Sequence, residues 1–304
     1  MTEEIEQTKK TISSRVLALS YFCNVSPRLF EALLGQFKTL DAIYAAEPEE
    51  FLQIEGIDEE RAEELSRAVD HLDAATVTVQ ALSERDIGIV TRFDDNYCRL
   101  LFELNNPPSL LYCRGRIIAN DQKSIAVVGS RTASSEGIEL TSRLVKELVA
   151  NKIQIVSSLI GGVDATAHLA AKSAGGKSFG VLNCGFDQID RAESVPVAID
   201  IAQSGGVISE YAPEIETDEN SDRETNRIIV GMAQAVVVTE AYADSNRILD
   251  LLLACRDIGK ITFFMVNPEH GALADETSLT QAVSCGAIPI EGFDHVGDIV
   301  KSLI

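Results

Sequence analysis

Residues 125–168 read IAVVGSRTASSEGIELTSRLVKELVANKIQIVSSLIGGVDATAH, and this stretch decides the fold. The spacing predicts a buried strand over 125–128, a tight turn at Gly129-Ser130-Arg131, and an amphipathic helix ending near Ala150. A second strand over 153–157 and a second glycine turn then open another helix. Two consecutive strand ends therefore face one rim with glycine, hydroxyl and amide groups.

Those residue types suit a phosphate. Glycine permits close backbone approach and positive φ, while the free amides at a helix start supply donors and partial positive charge. Arg131 adds a planar fork that grips a phosphate in bidentate fashion. Neither GxGxxG nor GxxxxGK[ST] is present, so the dinucleotide and P-loop fingerprints are not met.

Outward from this stretch, 304 residues exceed one ordinary domain. The 45% hydrophobic content comes in short runs, none long enough for a membrane span, and MTEEIEQTKK lacks the apolar segment of a secretory signal. A cytoplasmic protein with no membrane association is expected. Six scattered cysteines without a CxxC pair imply neither disulfides nor a metal site. The net charge of −21 argues against a broad nucleic-acid surface and confines any polyanion contact to a local basic pocket.

Towards the N-terminus, RVLALSYF, RLFEALLGQF and AEELSRAVDHL carry apolar residues at helical spacing. Between them, FLQIEGIDEERAEEL resembles the hairpin of a helix-hairpin-helix module. Glu55, Asp58, Glu59 and Glu60 flank its Gly56, which favours a structural or protein-contact role over DNA. The segment GIVTRFDDNYCRLLFELNNPPSLLYCRG reads as short strands and turns, with Pro107 and Pro108 enforcing extended backbone. The expected division is a helical, SAM-like domain over 1–75, a connecting segment over 76–120 and an α/β domain over 121–304.

Beyond Ser124, apolar strands such as AVVVTEA and ITFFMV alternate with helices, as in a doubly wound, mostly parallel sheet whose ligands sit at the carboxyl ends of the strands. Those ends carry Gly129, Ser130, Arg131, Ser158, Gly161, Gly162, Asp164, Asn183, Glu210 and Glu240. A helix beginning near Arg223 adds Asn226 and Arg227, with Arg223 and Arg227 four residues apart. Arg227 is equally suited to a phosphate and to a buried Glu240 or Glu210.

Taken together and in this order, GSR, SSLIGGVDATAH, Ser209-Glu210-Tyr211 and Asn226-Arg227-Ile228-Ile229 resemble the DNA-processing protein A family (DprA, also called Smf). The N-terminal helices and PPSLLYCRG extend the resemblance over nearly the whole chain. It implies an extended Rossmann-like domain and a non-catalytic single-stranded DNA binder without cofactor. It further implies a homodimer that loads a RecA-type recombinase during natural transformation. Gly129, Ser130, Arg131, Ser158, Gly161, Gly162, Asp164, Asn226 and Arg227 would line the strand pocket, with His168, Glu210, Arg223 and Glu240 around it.

The chain departs from the family pattern in charge. Gly161 stands where a basic residue is usual, and APEIETDENSDRE replaces a basic, proline-containing segment. Asp244-Ser245-Asn246-Arg247 and Val266-Asn267-Pro268 replace two further turns, and a member without a C-terminal winged helix is expected. Strand affinity should fall with each lost cation.

Two other classes stay open. In one, a small nucleotide sits at the glycine turns with Asp164 and Glu240 on its ribose hydroxyls. In the other, a hydrolase of nucleotide-sugar bonds uses Glu240 or Glu210, with His168 as a helper more readily explained by packing.

Overall fold

A computed structural model describes residues 2–189, 194–218, 220–241, 246–267, 271–272, 274, 276–291, 297 and 299. Of the positions singled out in the sequence, Glu219, Asp244, Ser245 and Pro268 lie outside the described residues. The chain divides into two compact units, residues 1–97 with 105–113 and residues 98–104 with 114–304.

The first unit contains α1 (Thr2–Leu17), α2 (Pro27–Phe37), α3 (Leu40–Ala45), α4 (Pro48–Phe51), α5 (Glu59–Ser66) and α6 (Leu72–Glu84). Local chemistry sets their starts. Ser26, Thr39 and Asp58 accept the backbone N–H three residues on, and Pro27 and Pro48 occupy first helical positions. Phe30, Leu33, Ile43, Phe51 and Leu65 fill the core between these helices. The Gly56 turn has a left-handed φ of 87°, and Glu55, Asp58, Glu59 and Glu60 around it are all exposed to solvent.

The stretch 76–120, expected as a connecting segment, is divided between the two units. Its first part belongs to α6, which packs on α1, and β1 (Gly88–Thr91) pairs antiparallel with β2 (Leu110–Gly115). The reason is periodicity: Ala75 and Leu82 of α6 are buried, so the helix continues well past residue 75.

The second unit is built on β3 (Ser124–Gly129), α7 (Ser135–Ala150), β4 (Gln154–Ser158), α8 (Gly162–Ser173), β5 (Ser178–Val181), α9 (Ser194–Ser204) and β6 (Gly206–Ser209). It continues with α10 (Ser221–Gly231), β7 (Ala235–Glu240), α11 (Asn246–Asp257), β8 (Ile261–Asn267), β9 (Gly271–Ala272), α12 (Glu276–Ser284) and β10 (Ile288–Glu291). The strand order is β6-β5-β4-β3-β7-β8-β10, with β9 antiparallel on β8 and every pair along that path parallel. The chain thus winds outward from β3 to β6, then returns to β3's other side as β7. That reversal is the topological switch point of a doubly wound sheet.

Burial on both faces explains the continuous apolar strands. Ile125 and Val127 pack with Leu144 and Leu148 of α7 and Ala167 and Ala171 of α8, while the alternate residues Ala126 and Val128 are equally enclosed. The expected strand and helix of the 125–150 stretch are found as β3 and α7, and the mostly parallel α/β class holds.

Candidate functional site

The carboxyl ends of β3 to β6 carry two layers of polar groups. The inner layer is centred on Asp164, which is wholly buried in the first turn of α8. Its Oδ1 accepts the Gly129 N–H at 3.1 Å, its Oδ2 accepts the Ser158 hydroxyl, and Arg247 of α11 stands 3.0 Å from Oδ2. The Arg247 guanidinium also donates to the Gly129 carbonyl at 2.7 Å. One ion pair thus fastens the ends of β3 and β4 to α8 and α11.

The two glycine turns are packed onto each other. Val163 N–H donates to the Ser130 carbonyl at 3.0 Å, and Gly162 adopts φ 57°. A side chain at Gly162 would collide with the carbonyl oxygens of Ser130 and Arg131, so glycine is required by both conformation and space. Gly161 precedes it with φ 117° and caps α8.

The positive end of α7 has its own anion. Glu240, wholly buried at the end of β7, accepts the Ser134 N–H at 3.1 Å and the Ser134 hydroxyl at 2.5 Å, and Ser134 Oγ caps Gly137 N–H at 3.0 Å. The Glu240 carbonyl accepts the Ser130 N–H at 2.9 Å. A protein carboxylate therefore occupies the helix start that the sequence offers to a phosphate.

These contacts engage several of the expected site residues within the fold. Gly129, Ser130, Ser158, Asp164 and Glu240 spend their polar groups on the fold. Asn226 is buried and donates to the Arg247 carbonyl at 2.8 Å. His168 is also buried, with Nε2 donating to the Ser158 carbonyl at 3.0 Å and Nδ1 without a hydrogen-bond partner. Burial pulls its pKa down to about 4, against the opposing effects of the Ser158 carbonyl and Asp164, so the ring is neutral near pH 7. Asp164 and Glu240 both spend carboxylate oxygens on internal bonds.

The outer layer is open to solvent at Arg131, Asp222 and Glu224 and more enclosed at Arg227 and Glu210. Arg131, its side chain 46% exposed, forms an ion pair with Asp222, whose Oδ1 also accepts the Asn183 amide at 2.9 Å. Arg227 pairs with Glu210 and, through Nε at 2.6 Å, with Glu224. Burial raises the Glu210 carboxyl above its ordinary range, and Arg227 opposes that shift. Arg223 is exposed. Asp222 and Glu224 both lie in the first turn of α10, so one helix start reaches both arginines.

Sequence reasoning missed two features. Arg247 was seen only as a changed turn residue; a lone arginine opening the apolar run ILDLLLAC was the available signal. The Arg131–Asp222 pair joins residues 91 apart, and no local pattern encodes it. Among the described residues no group of three or more His, Cys, Asp or Glu side chains is arranged to hold a metal ion, and all six cysteines are free.

The family model for DNA recombination-mediator protein A matches residues 88–293. Protein Smf of Synechocystis is 28% identical over 291 residues, covering 90% of this chain and 73% of the relative; two further relatives are matched over 57 and 55% of their length. Among solved structures, DNA processing protein A from Streptococcus pneumoniae superposes with TM-score 0.77 at 23% identity, covering 96% of this chain and 98% of that one. DNA processing protein A from Helicobacter pylori, described in terms of its single-stranded DNA binding mode, gives TM-score 0.62 at 22% identity over 72 and 97% of the two chains. At these identities the two structures speak for the fold.

Proposed function

We propose, starting from the fact that the chain belongs to the DNA recombination-mediator protein A family, that it binds single-stranded DNA at the outer rim of this site and acts as a recombination mediator without catalysis of its own. Arg131 and Arg227 are the phosphate-facing cations in this reading, and Arg223 extends the path along α10. The observation that carries it is the pair of arginines reaching one helix start above the strand ends, on a sheet like that of a protein described as a single-stranded DNA binder. The finer parts of the reading are a homodimer, action in the cytoplasm during natural transformation, and loading of a RecA-type recombinase onto the bound strand. No helix among the described residues is long and apolar enough to cross a membrane.

Fluorescence anisotropy with a short oligothymidylate at low salt tests the reading. Binding is expected, with log affinity falling by about 0.7 per phosphate contact for each tenfold rise in salt. Arg131→Ala should weaken it roughly tenfold, the effect of losing one charge-assisted contact. No binding at micromolar protein overturns the proposal.

A small nucleotide at the glycine turns is disfavoured by the commitment of Asp164 and Glu240 to internal bonds. A thermal-shift panel of mononucleotides and dinucleotides is expected to leave the melting midpoint unmoved. Clear stabilisation by any of them returns the nucleotide reading to the front.

A further inference from the structure

The two arginines assigned to the strand are held by carboxylates of the same short segment. Asp222 holds Arg131 and is itself steadied by Asn183; Glu224 holds Arg227. A carboxylate presents two oxygens to the guanidinium fork much as a phosphate does. We propose that the first turn of α10 is an internal competitor for the strand: Asp222 and Glu224 occupy the positions of two phosphates, and binding exchanges carboxylate for phosphate. This inference rests on the strand-binding reading above and concerns how that site is regulated.

Exposure makes the exchange feasible. The Arg131 and Asp222 side chains are 46 and 28% exposed, and in the second pair Glu224 is 46% and Arg227 16% exposed, so water reaches the carboxylate of each pair. Ion pairs of this kind add little net stability and open readily. The Arg227–Glu210 pair is different, with its side chains 16 and 17% exposed. It keeps Arg227 in place when Glu224 leaves. The dipole of α10 favours acids in its first turn, which accounts for their presence; it does not account for their each holding an arginine.

The exchange has an ionic signature. Neutralising a phosphate releases a counterion from the strand, whereas each carboxylate set free takes up a cation. The salt dependence of the natural chain is therefore shallower than its phosphate contacts would give, and removing the competitors steepens it.

The experiment compares the full chain with Asp222→Asn, Glu224→Gln, their double variant and Glu216→Gln, using the same oligothymidylate at two salt concentrations. Glu216 is an exposed acid of the adjoining loop, and among the described residues it forms no ion pair with either arginine of the site. Each paired-position variant should bind several-fold tighter, the double variant roughly tenfold tighter with a steeper salt slope, and Glu216→Gln should differ less than twofold. An equal gain in Glu216→Gln overturns the competitor, because bulk charge alone then accounts for the effect. Unchanged or weaker binding by the double variant, with the natural chain binding, overturns it and leaves the strand-binding reading intact. Absence of binding by every form overturns that reading and the inference together. Melting midpoints check each fold, and the exposed Glu224→Gln serves should the Asp222 variant fail to fold.

Discussion

Asp164→Ala is expected to cost about 3–5 kcal/mol of folding stability, the range for stripping one partner from a buried ion pair. For a unit of this size that lowers the melting midpoint on the order of 10 °C. Arg247, with a side chain 4% exposed, would keep its bond to the Gly129 carbonyl and lose its counter-charge. The Gly129 N–H and the Ser158 hydroxyl would lose their acceptor at the same time. Urea unfolding should show the loss as a lower midpoint with an unchanged slope. A double cycle with Arg247→Met separates the pair from general disruption: the double variant should lose clearly less than the sum of the two single losses. A loss below about 1 kcal/mol in Asp164→Ala would show that the strut does not hold the strand ends together.

The second large effect is a pH dependence set by His168. In the unfolded chain an imidazole titrates near 6.5, and in the fold burial lowers it to about 4. Between these values the unfolded chain binds the extra proton and the folded chain does not, so stability falls as pH drops from about 6.5 towards 4. It is unaffected by this group above that window. Two and a half pKa units correspond to about 3 kcal/mol, lost in full below pH 4. His168→Gln keeps a donor for the Ser158 carbonyl and removes the titration. Urea midpoints measured from pH 7 to 4 should fall more steeply for the natural chain than for this variant. Parallel curves would assign the acid sensitivity elsewhere.

The fold was legible because its signal is local and repeated. Runs such as AVVVTEA must be buried on both faces, and the order of strands and helices then leaves few topologies. The start of α8 was legible in the same way, through the glycine turn before it. The direction of each polar side chain was not. The GSR and GGVD turns have the composition of a phosphate cradle whether or not their donors are already taken, and only the fold brings Glu240 to Ser134 across 106 residues. The same holds for Arg131, whose partner Asp222 lies in a segment the sequence marks merely as acidic. Arg227 was balanced between a phosphate and a glutamate, and the fold supplies Glu210 and Glu224. Composition announces the chemistry available at a rim, and topology decides which of it faces outward.

The bond between Glu240 and the start of α7 bears on how such a chain can change over evolutionary time. Since Glu240, Ser134, Asp164 and the glycine turns satisfy one another, the scaffold needs no visitor to complete it. In the proposed strand-binding reading, ligand preference is left to Arg131, Asp222 and Glu224, which sit at the outer edge of that scaffold. Single substitutions at these outer positions can tune the affinity for a strand up or down while the folded architecture is inherited intact. A strongly acidic descendant can in this way keep the frame of its lineage and retune only its grip.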